Sequence, residues 1–432
     1  MTEHSTTQVF SRPPIAVVVQ QHAEESAVLR HVRSVLVRAP HVKLHHLRRL
    51  DDRIAAHLDG LAVAGTYGTQ CCAAGLASPG AGEVFACTVR AIEERDSRAL
   101  DRLLAVTAEL PDVKRGLLSA FGWVSARQLQ GIARALLGAP DALRREVGLA
   151  ACRLHRADPG PVLAAALRDA DPSVRRGALR AAAELGRTDL LEHALVMLAG
   201  EDEDLVFRAA CSACLLGDRD ASLRVLALFA QRKGERSWQA VSLLLLAGEF
   251  GQARQLVRDM AREAPASLEH KRRLVQACGL LGDVQFVPWL IDLMTEDTLA
   301  RVAGESFSLI TGADLAALDL ERKTAPEGVQ NGPNDDPEDS DVALDEDESL
   351  PWPDRDLVQK WWQAHAGDLP AERRVFMGAV PGAEHCAKVL REGFQRQRAV
   401  AVQHLCLARP GTPMFPIAAP AWRQQRQLAP GN

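Results

Sequence analysis

Two cysteines three positions apart, Cys211-Ser-Ala-Cys214, have the spacing by which thiolates share a metal ion or exchange a disulfide. His41, His45 and His46 could place two imidazoles one turn apart on a helix, a spacing that suits a shared metal. Gly304-Glu-Ser306-Phe-Ser308 places a serine two residues after a glycine, as a hydrolase nucleophile elbow does. The carboxylates of residues 335–339 and 345–348 are dense enough to attract Ca²⁺. Each pattern also has a plainer reading. No second Cys pair or His pair accompanies Cys211 and Cys214, and both fall where the surrounding helical pattern has alanine, so they read as core residues. Only two of these imidazoles can share a helical face, no third ligand is in view, and the histidines read as partly exposed helix-surface residues. The serine motif lacks the second glycine and lies inside a helical stretch. The acidic clusters lack the glycine and the ligand spacing of a calcium loop and read as a solvated linker. The sequence contains no phosphate-binding loop, dinucleotide fingerprint or His-Glu-x-x-His pair. The expectation is a chain with no catalytic residues, cofactor or metal.

What remains is chemistry of contact. Trp361 and Trp362 are adjacent, about 100° apart on a helix, so they cannot both occupy the centre of one narrow core stripe. One belongs to the core and the other is available as an interface anchor. Trp352 sits in Pro351-Trp352-Pro353, a stiff extended segment that can pin an indole onto a neighbour. Phe394-Gln-Arg396-Gln-Arg398 and Trp422-Arg423-Gln-Gln-Arg426 make the end of the chain basic. Their plain reading is a solvated face opposite the acidic stretch, and their functional reading is a binding patch. Because Trp and Arg dominate binding hot spots, Trp352, Trp361, Trp362, Arg396, Arg398, Trp422, Arg423 and Arg426 are the candidate partner-binding residues.

These side chains need a framework, and residues 113–312 supply its period. Val174 to Gly186 is the clearest copy of an Ala-rich helix that ends in glycine, and the equivalent positions are Gly217, Gly248, Gly282 and Gly312, at intervals of 31, 31, 34 and 30 residues. His155 and Gly122 hold the same slot upstream. Glycine suits that slot because a helix often ends on one left-handed residue, which costs little without a Cβ. A period of this length over several copies is the mark of helix pairs that bury their apolar faces only by stacking. In the clearest copy Pro161 opens the first helix, Asp171 caps the second, and Val174, Ala178, Ala181, Ala182 and Leu185 face inward. Upstream, apolar residues predict a helix over 20–38 with Val28, Val32, Val35 and Leu36 on one face. Further helices are predicted over 44–63, 82–94 and 97–109. Downstream, helices are predicted over 356–365, 383–390 and 395–408.

Composition agrees. Of 432 residues 47% are apolar and only 4% aromatic, which suits packed helix pairs better than a β-sandwich. The formal charge of −5 is unevenly spread: residues 319–349 hold 12 acidic and 2 basic residues, whereas 350–432 hold 11 basic and 6 acidic. The first 318 residues are therefore neutral, which argues against a nucleic-acid track. No charged-then-apolar leader opens the sequence and no apolar run is long enough for a bilayer, so a membrane is not expected. Nine scattered cysteines, an odd number, read as reduced thiols in the cytoplasm. The predicted architecture is an all-α solenoid of stacked helix pairs. Residues 1–109 form an N-terminal helical cap or diverged repeats, and 110–318 the repeat array. Residues 319–349 form a disordered acidic linker, and 350–432 a small, basic, Trp-containing helical module.

The Asp171-Pro-Ser-Val-Arg175 opening resembles HEAT repeats. Leu50-Asp-Asp-Arg-Ile-Ala-Ala-His-Leu-Asp-Gly-Leu61, Ala303-Gly-Glu-Ser-Phe-Ser-Leu-Ile-Thr-Gly312, Leu350-Pro-Trp-Pro-Asp354 with Trp361-Trp362, and Pro410-Gly-Thr-Pro413 onward resemble, over nearly the whole chain, an uncharacterised proteobacterial HEAT-repeat family. Its members are often encoded near type VI secretion spike and toxin genes. The resemblance implies a non-enzymatic, cytoplasmic, protein-binding scaffold acting as adaptor, chaperone or immunity-type protein, with a spike or toxin as partner, and it carries no catalytic residues with it. Two alternatives use the same fold. A HEAT-like DNA glycosylase would need a basic, aromatic groove. A small-chromophore lyase or chaperone would need an apolar pocket lined by His or Asp.

The composition of residues 325–347 cannot sustain a core. Limited proteolysis is expected to cut there first and to leave a helical fragment ending near residue 320. Digestion of the array ahead of this stretch would refute the linker assignment.

Overall fold

The structure is a computed structural model, and it describes residues 13–263, 267–324, 326 and 347–429. The chain is all-α: among the described residues the only extended pairings are isolated bridges such as Glu321 to Pro353. The first helices are α1 (Ala16–Leu36), α2 (Leu44–Val63), α3 (Thr66–Gly75), α4 (Ala81–Glu93), α5 (Ser97–Glu109), α6 (Lys114–Trp123), α7 (Ile132–Leu137) and α8 (Ala142–His155). Next come α9 (Pro161–Ala166), α10 (Pro172–Leu185), α11 (Leu191–Val196), α12 (Glu203–Leu216), α13 (Ala221–Ala230), α14 (Glu235–Ala247), α15 (Phe250–Glu263), α16 (Leu268–Leu281), α17 (Val287–Leu293) and α18 (Asp297–Thr311). The last are α19 (Arg355–His365), α20 (Ala383–Glu392), α21 (Gln395–Ala408) and α22 (Ala421–Leu428). They fall into two compact units. One comprises residues 1–36, 45–155 and 419–425, and the other 37–44, 156–418 and 426–432.

In the first unit the predicted stripe of α2 is the core: Leu47, Ile54 and Leu61 are fully buried and Leu50 and Leu58 nearly so. The face of α1 differs from the expected one. Val28, Val32 and Val35 are 58, 37 and 43% exposed, and Ser26, Ala27, Leu29 and Arg30 are buried in their place. The reason is steric. α1 packs on α4, and a Cβ at Gly82 would collide with the Ala27 backbone, so small residues let the two helices close up. Arg30, drawn inside with them, donates to the Arg115 carbonyl at 2.9 Å and to Ser119 Oγ at 2.8 Å. Residues 66–75 form a separate helix, α3, in a stretch where no helix is predicted. Asp51 of α2 is fully buried between Arg33, at 2.5 Å, and the Ala421 backbone N–H, at 2.6 Å, which anchors the start of α22.

In the second unit the repeat register holds. Asp171, Asp202 and Ser267 cap α10, α12 and α16 with side-chain oxygens, and Val174, Ala178, Ala181, Ala182 and Leu185 are all buried. α10 packs on α12, α12 on α14, α14 on α16 and α16 on α18, with the intervening helices on the flank. Gly186, Gly217, Gly282 and Gly312 end their helices in the left-handed conformation, at φ of 70, 116, 71 and 76°. Gly248 is the exception, extended at φ −72°.

The helix ends are also where the rest of the chain attaches. A helix leaves its last carbonyls without intrahelical partners, and residues 374–414 supply them. Val375 N–H donates to Gly282 O at 2.8 Å, Met377 N–H to Leu309 O at 2.7 Å, and Gly378 N–H to Ile310 O at 2.9 Å. Arg374 reaches Leu245 O at 2.5 Å where Gly248 has no left-handed turn, and Met414 N–H donates to Glu184 O at 2.9 Å. A Cβ on Gly186, Gly282 or Gly312 would overlap the backbone of Gly411, Val375 or Met377. These glycines are thus required twice, by dihedral angle and by contact. The acidic stretch is tied down at its far end as well. Asp347, expected to be solvated in the linker, is buried, and Arg272 grips both its carboxylate oxygens at 2.6 and 2.8 Å. The acidic cluster at 335–339 and residues 345 and 346 lie outside the described residues.

Three alanine substitutions separate the two requirements. Gly282→Ala carries both penalties and should destabilise the second unit by more than the ~1–2 kcal/mol of a left-handed alanine alone. Gly160→Ala, at φ 64° with open space around it, should show only the dihedral cost, and Gly251→Ala, in open space on α15, little or none. Equal urea midpoints for the Gly282 and Gly160 variants would show that the C-terminal segment does not press on the helix ends.

Candidate functional site

The inner faces of α14, α16 and α18, together with α21, enclose a cavity of about 710 Å³ within the second unit. Residues 38–41, 313–316 and 349–351 complete its wall. The geometry follows from the repeat. Three successive second helices present the same face, and α21, which packs on α12 and α14, stands off far enough from α16 and α18 to leave space. Trp238, Leu280, Leu309, Leu350 and Phe394 make much of the surface apolar.

The cavity's charged groups are three arginines, Arg38, Arg273 and Arg396, and two acids, Glu305 and Asp314. Arg273 lies over the Trp238 ring, 5.0 Å from its centroid, and donates to Gln276 Oε1 at 3.1 Å. Arg396 donates to Glu305 Oε2 at 2.8 Å and to the Arg38 carbonyl at 3.2 Å. Arg38 is exposed and has no ion-pair partner among the described residues. Glu305, 21% exposed, faces this cavity, and burial pushes its carboxyl above the usual range. Arg396 and the more distant Arg272 oppose that shift, and Asp347 adds to it. The other acid on the wall, Asp314, is 3.9 Å from Lys43. Burial holds the His41 imidazole below its ordinary value, Arg396 adds to the effect, and Glu348 works against it.

Among the eight residues singled out from the sequence, Arg396 alone lines this cavity. Arg398 is fully buried, donates to Leu390 O at 2.8 Å and bonds Gln395 Oε1, and burial lowers its guanidinium to about 10. Trp361 packs edge-on against Phe307 at 5.7 Å and stacks on His365 at 4.3 Å. Trp362 is half-buried on the same core, and Trp352 lies under the Arg301 guanidinium at 4.5 Å. Trp422 and Arg423 belong to the other unit. There Trp422 meets Trp123 edge-on at 4.8 Å, and Arg423 donates to the carbonyls of Gly122 and Val124 at 3.0 and 2.9 Å. Arg426 is exposed on α22. The set is therefore dispersed, and most of it makes contacts inside the chain.

Cys211 and Cys214 are buried in α12, and burial pushes their thiols up to about 11 and about 12, so neither is a thiolate at neutral pH. Ser306 lies within α18, 4% exposed. Among the described residues, no three His, Cys, Asp or Glu side chains gather as a metal set.

Sequence reasoning passed over Arg38, Trp238, Arg273, Gln276 and Glu305. One signal was present. Seven positions before the repeat residue stand Leu179, Ala210, Val241 and Val275, all buried, and then Glu305. A carboxylate in a slot that is otherwise apolar marks a place where the core gives way to something polar.

Glu305 makes a testable contribution to the pH dependence of stability. Its folded pKa is raised, so its contribution is fully present below the ordinary carboxylate range and is lost as pH rises through the folded value. Stability of the Glu305→Gln variant should change less than wild type across that window. Arg396→Gln should move the Glu305 titration further upward, followed by carboxyl ¹³C shifts. An unshifted titration would show that Arg396 does not govern this carboxylate.

Comparison with known protein families, characterised proteins and solved structures finds no match to this chain.

Proposed function

We propose that the chain is a non-enzymatic, HEAT-like α-solenoid scaffold that binds another protein, and that the cavity of the second unit receives a segment of that partner. The observation that supports this reading most directly is the construction of the wall. Three consecutive second helices and α21 converge on one space lined by Trp238, Phe394 and three arginines, the side-chain types that anchor protein interfaces. Of these helices α16 and α18 end on left-handed glycines in the register of the repeat, and the continuous inner surface of a stacked array is suited to holding a protein. Residues 1–109 serve as an N-terminal cap or diverged repeats, 110–318 as the repeat array, 319–349 as a linker and 350–432 as a C-terminal module. In the setting that the family resemblance implies, the partner is a type VI secretion spike or toxin. The chain then acts in the cytoplasm as adaptor, chaperone or immunity-type protein.

The cavity volume favours one other reading. About 710 Å³ lies within the ~300–1,000 Å³ of small-molecule sites, as a lyase or carrier of the same fold would require.

Ala399→Trp fills the cavity from α21 without removing any charge. The variant should keep the wild-type far-ultraviolet circular dichroism and lose about tenfold or more in affinity for a purified partner first captured from the host. Undiminished binding by the folded variant would remove the cavity from the interface. Recovery of DNA, or of a small chromophore and no protein, would overturn the scaffold reading.

A further inference from the structure

The cavity's polar groups specify what kind of segment it takes. On its wall, Glu305 is matched by Arg396 and Asp314 by Lys43, which leaves Arg38 and Arg273 without an ion-pair partner among the described residues. Arg273 makes only neutral contacts, the Trp238 ring face and Gln276 Oε1. Two unmatched guanidinium groups beside apolar walls favour an occupant carrying carboxylate, because charge-assisted bonds to arginine are strong and often bidentate.

Three amides extend the pattern. Gln276 on α16 and Gln397 and Gln403 on α21 all line the cavity. Gln276 Oε1 accepts from Arg273 and Gln397 Oε1 accepts from the Phe394 N–H at 3.0 Å. None of the three Nε2 groups has a hydrogen-bond partner among the described residues, and Gln403 Oε1 is buried with none either. A small organic acid offers one cluster of acceptors. An extended peptide offers a carbonyl at every residue, which is what spaced amide donors on two facing helices can use.

Resting on the scaffold reading above, we infer that the cavity recognises an extended acidic–apolar peptide segment of the partner, with its carboxylates on Arg38 and Arg273 and its apolar side chains against Trp238 and Phe394.

The test uses the full chain and a fluorescein-labelled peptide of alternating leucine and aspartate, read by fluorescence anisotropy. The same peptide with asparagine for aspartate, and decanoate as competitor, are the comparison probes. The aspartate peptide should bind about tenfold or more tightly than the asparagine peptide, in line with hydrogen bonds to charged groups. Arg38→Gln, an exposed change that should not disturb folding, and Arg273→Gln should each reduce that preference. Gln403→Leu should weaken both peptides alike. Equal binding of the two peptides to wild type, or an aspartate preference unchanged in both arginine variants, would overturn the inference. So would decanoate binding in the cavity while neither peptide binds. If either arm fails while Ala399→Trp still abolishes capture of the native partner, the scaffold reading stands and the acidic–apolar assignment alone falls.

Discussion

The carbonyl oxygens at the ends of α10, α14, α16 and α18 are the constraint on which the second unit depends. Each helix must satisfy its last turn from outside itself, and a lone left-handed glycine does only part of the work. Residues 374–378 and Met414 provide the remaining donors, so the C-terminal segment is laid along the helix ends by the same hydrogen-bond accounting that makes the helices. α20 and α21 follow from it. They are held between the two stretches of backbone that make these bonds, and α21 is thereby fixed opposite α16 and α18 with the cavity between.

Charge is handled differently in the two parts of the second unit. Near the helix ends and around α20 and α21, guanidinium groups are buried against carbonyls: Arg374 on Leu245 O, Arg219 on Leu407 O at 2.8 Å, and Arg398 on Leu390 O. Such groups lose hydration and gain fixed acceptors, and they act as bolts rather than binding surfaces. At the cavity the arginines meet carboxylates, ring faces and amides in a space that still has room. Hence Arg396 and Arg398, two residues apart in one basic cluster, have opposite surroundings.

Much of the framework was legible in the sequence because it rests on local rules. α2, α5 and α21 have the expected limits, Asp171 caps α10, and four of the five downstream repeat glycines are left-handed. What was not legible depends on partners far away along the chain. Gly248 departs from the pattern because Arg374 satisfies that helix end in place of a left-handed turn. α1 turns its valines outward because α4 offers a glycine notch to small residues. The site suffered most. Apart from Arg396, its residues were read as helix positions, since nothing local tells that α21 will stand across from them. The aromatic and basic residues of the C-terminal region were conspicuous by type, yet type alone does not separate a side chain that bolts the chain to itself from one that faces outward.

The order in which the helix ends are closed has a consequence for synthesis. Residues 374–378 serve the ends after α14, α16 and α18, and only afterwards does Met414 return to the end of α10, while the Leu407 carbonyl accepts from Arg219 just beyond α12. A nascent chain therefore carries α10 with an open end until residue 414 has left the ribosome. Local helix pairing can proceed early, but the closing contacts are of the longest sequence separation, the slowest kind to form. Interruption of the chain ahead of residue 374 would leave a row of helices with unfilled acceptors, prone to association with other chains. Docking of residues 374–414 is in this sense a late folding step of the second unit.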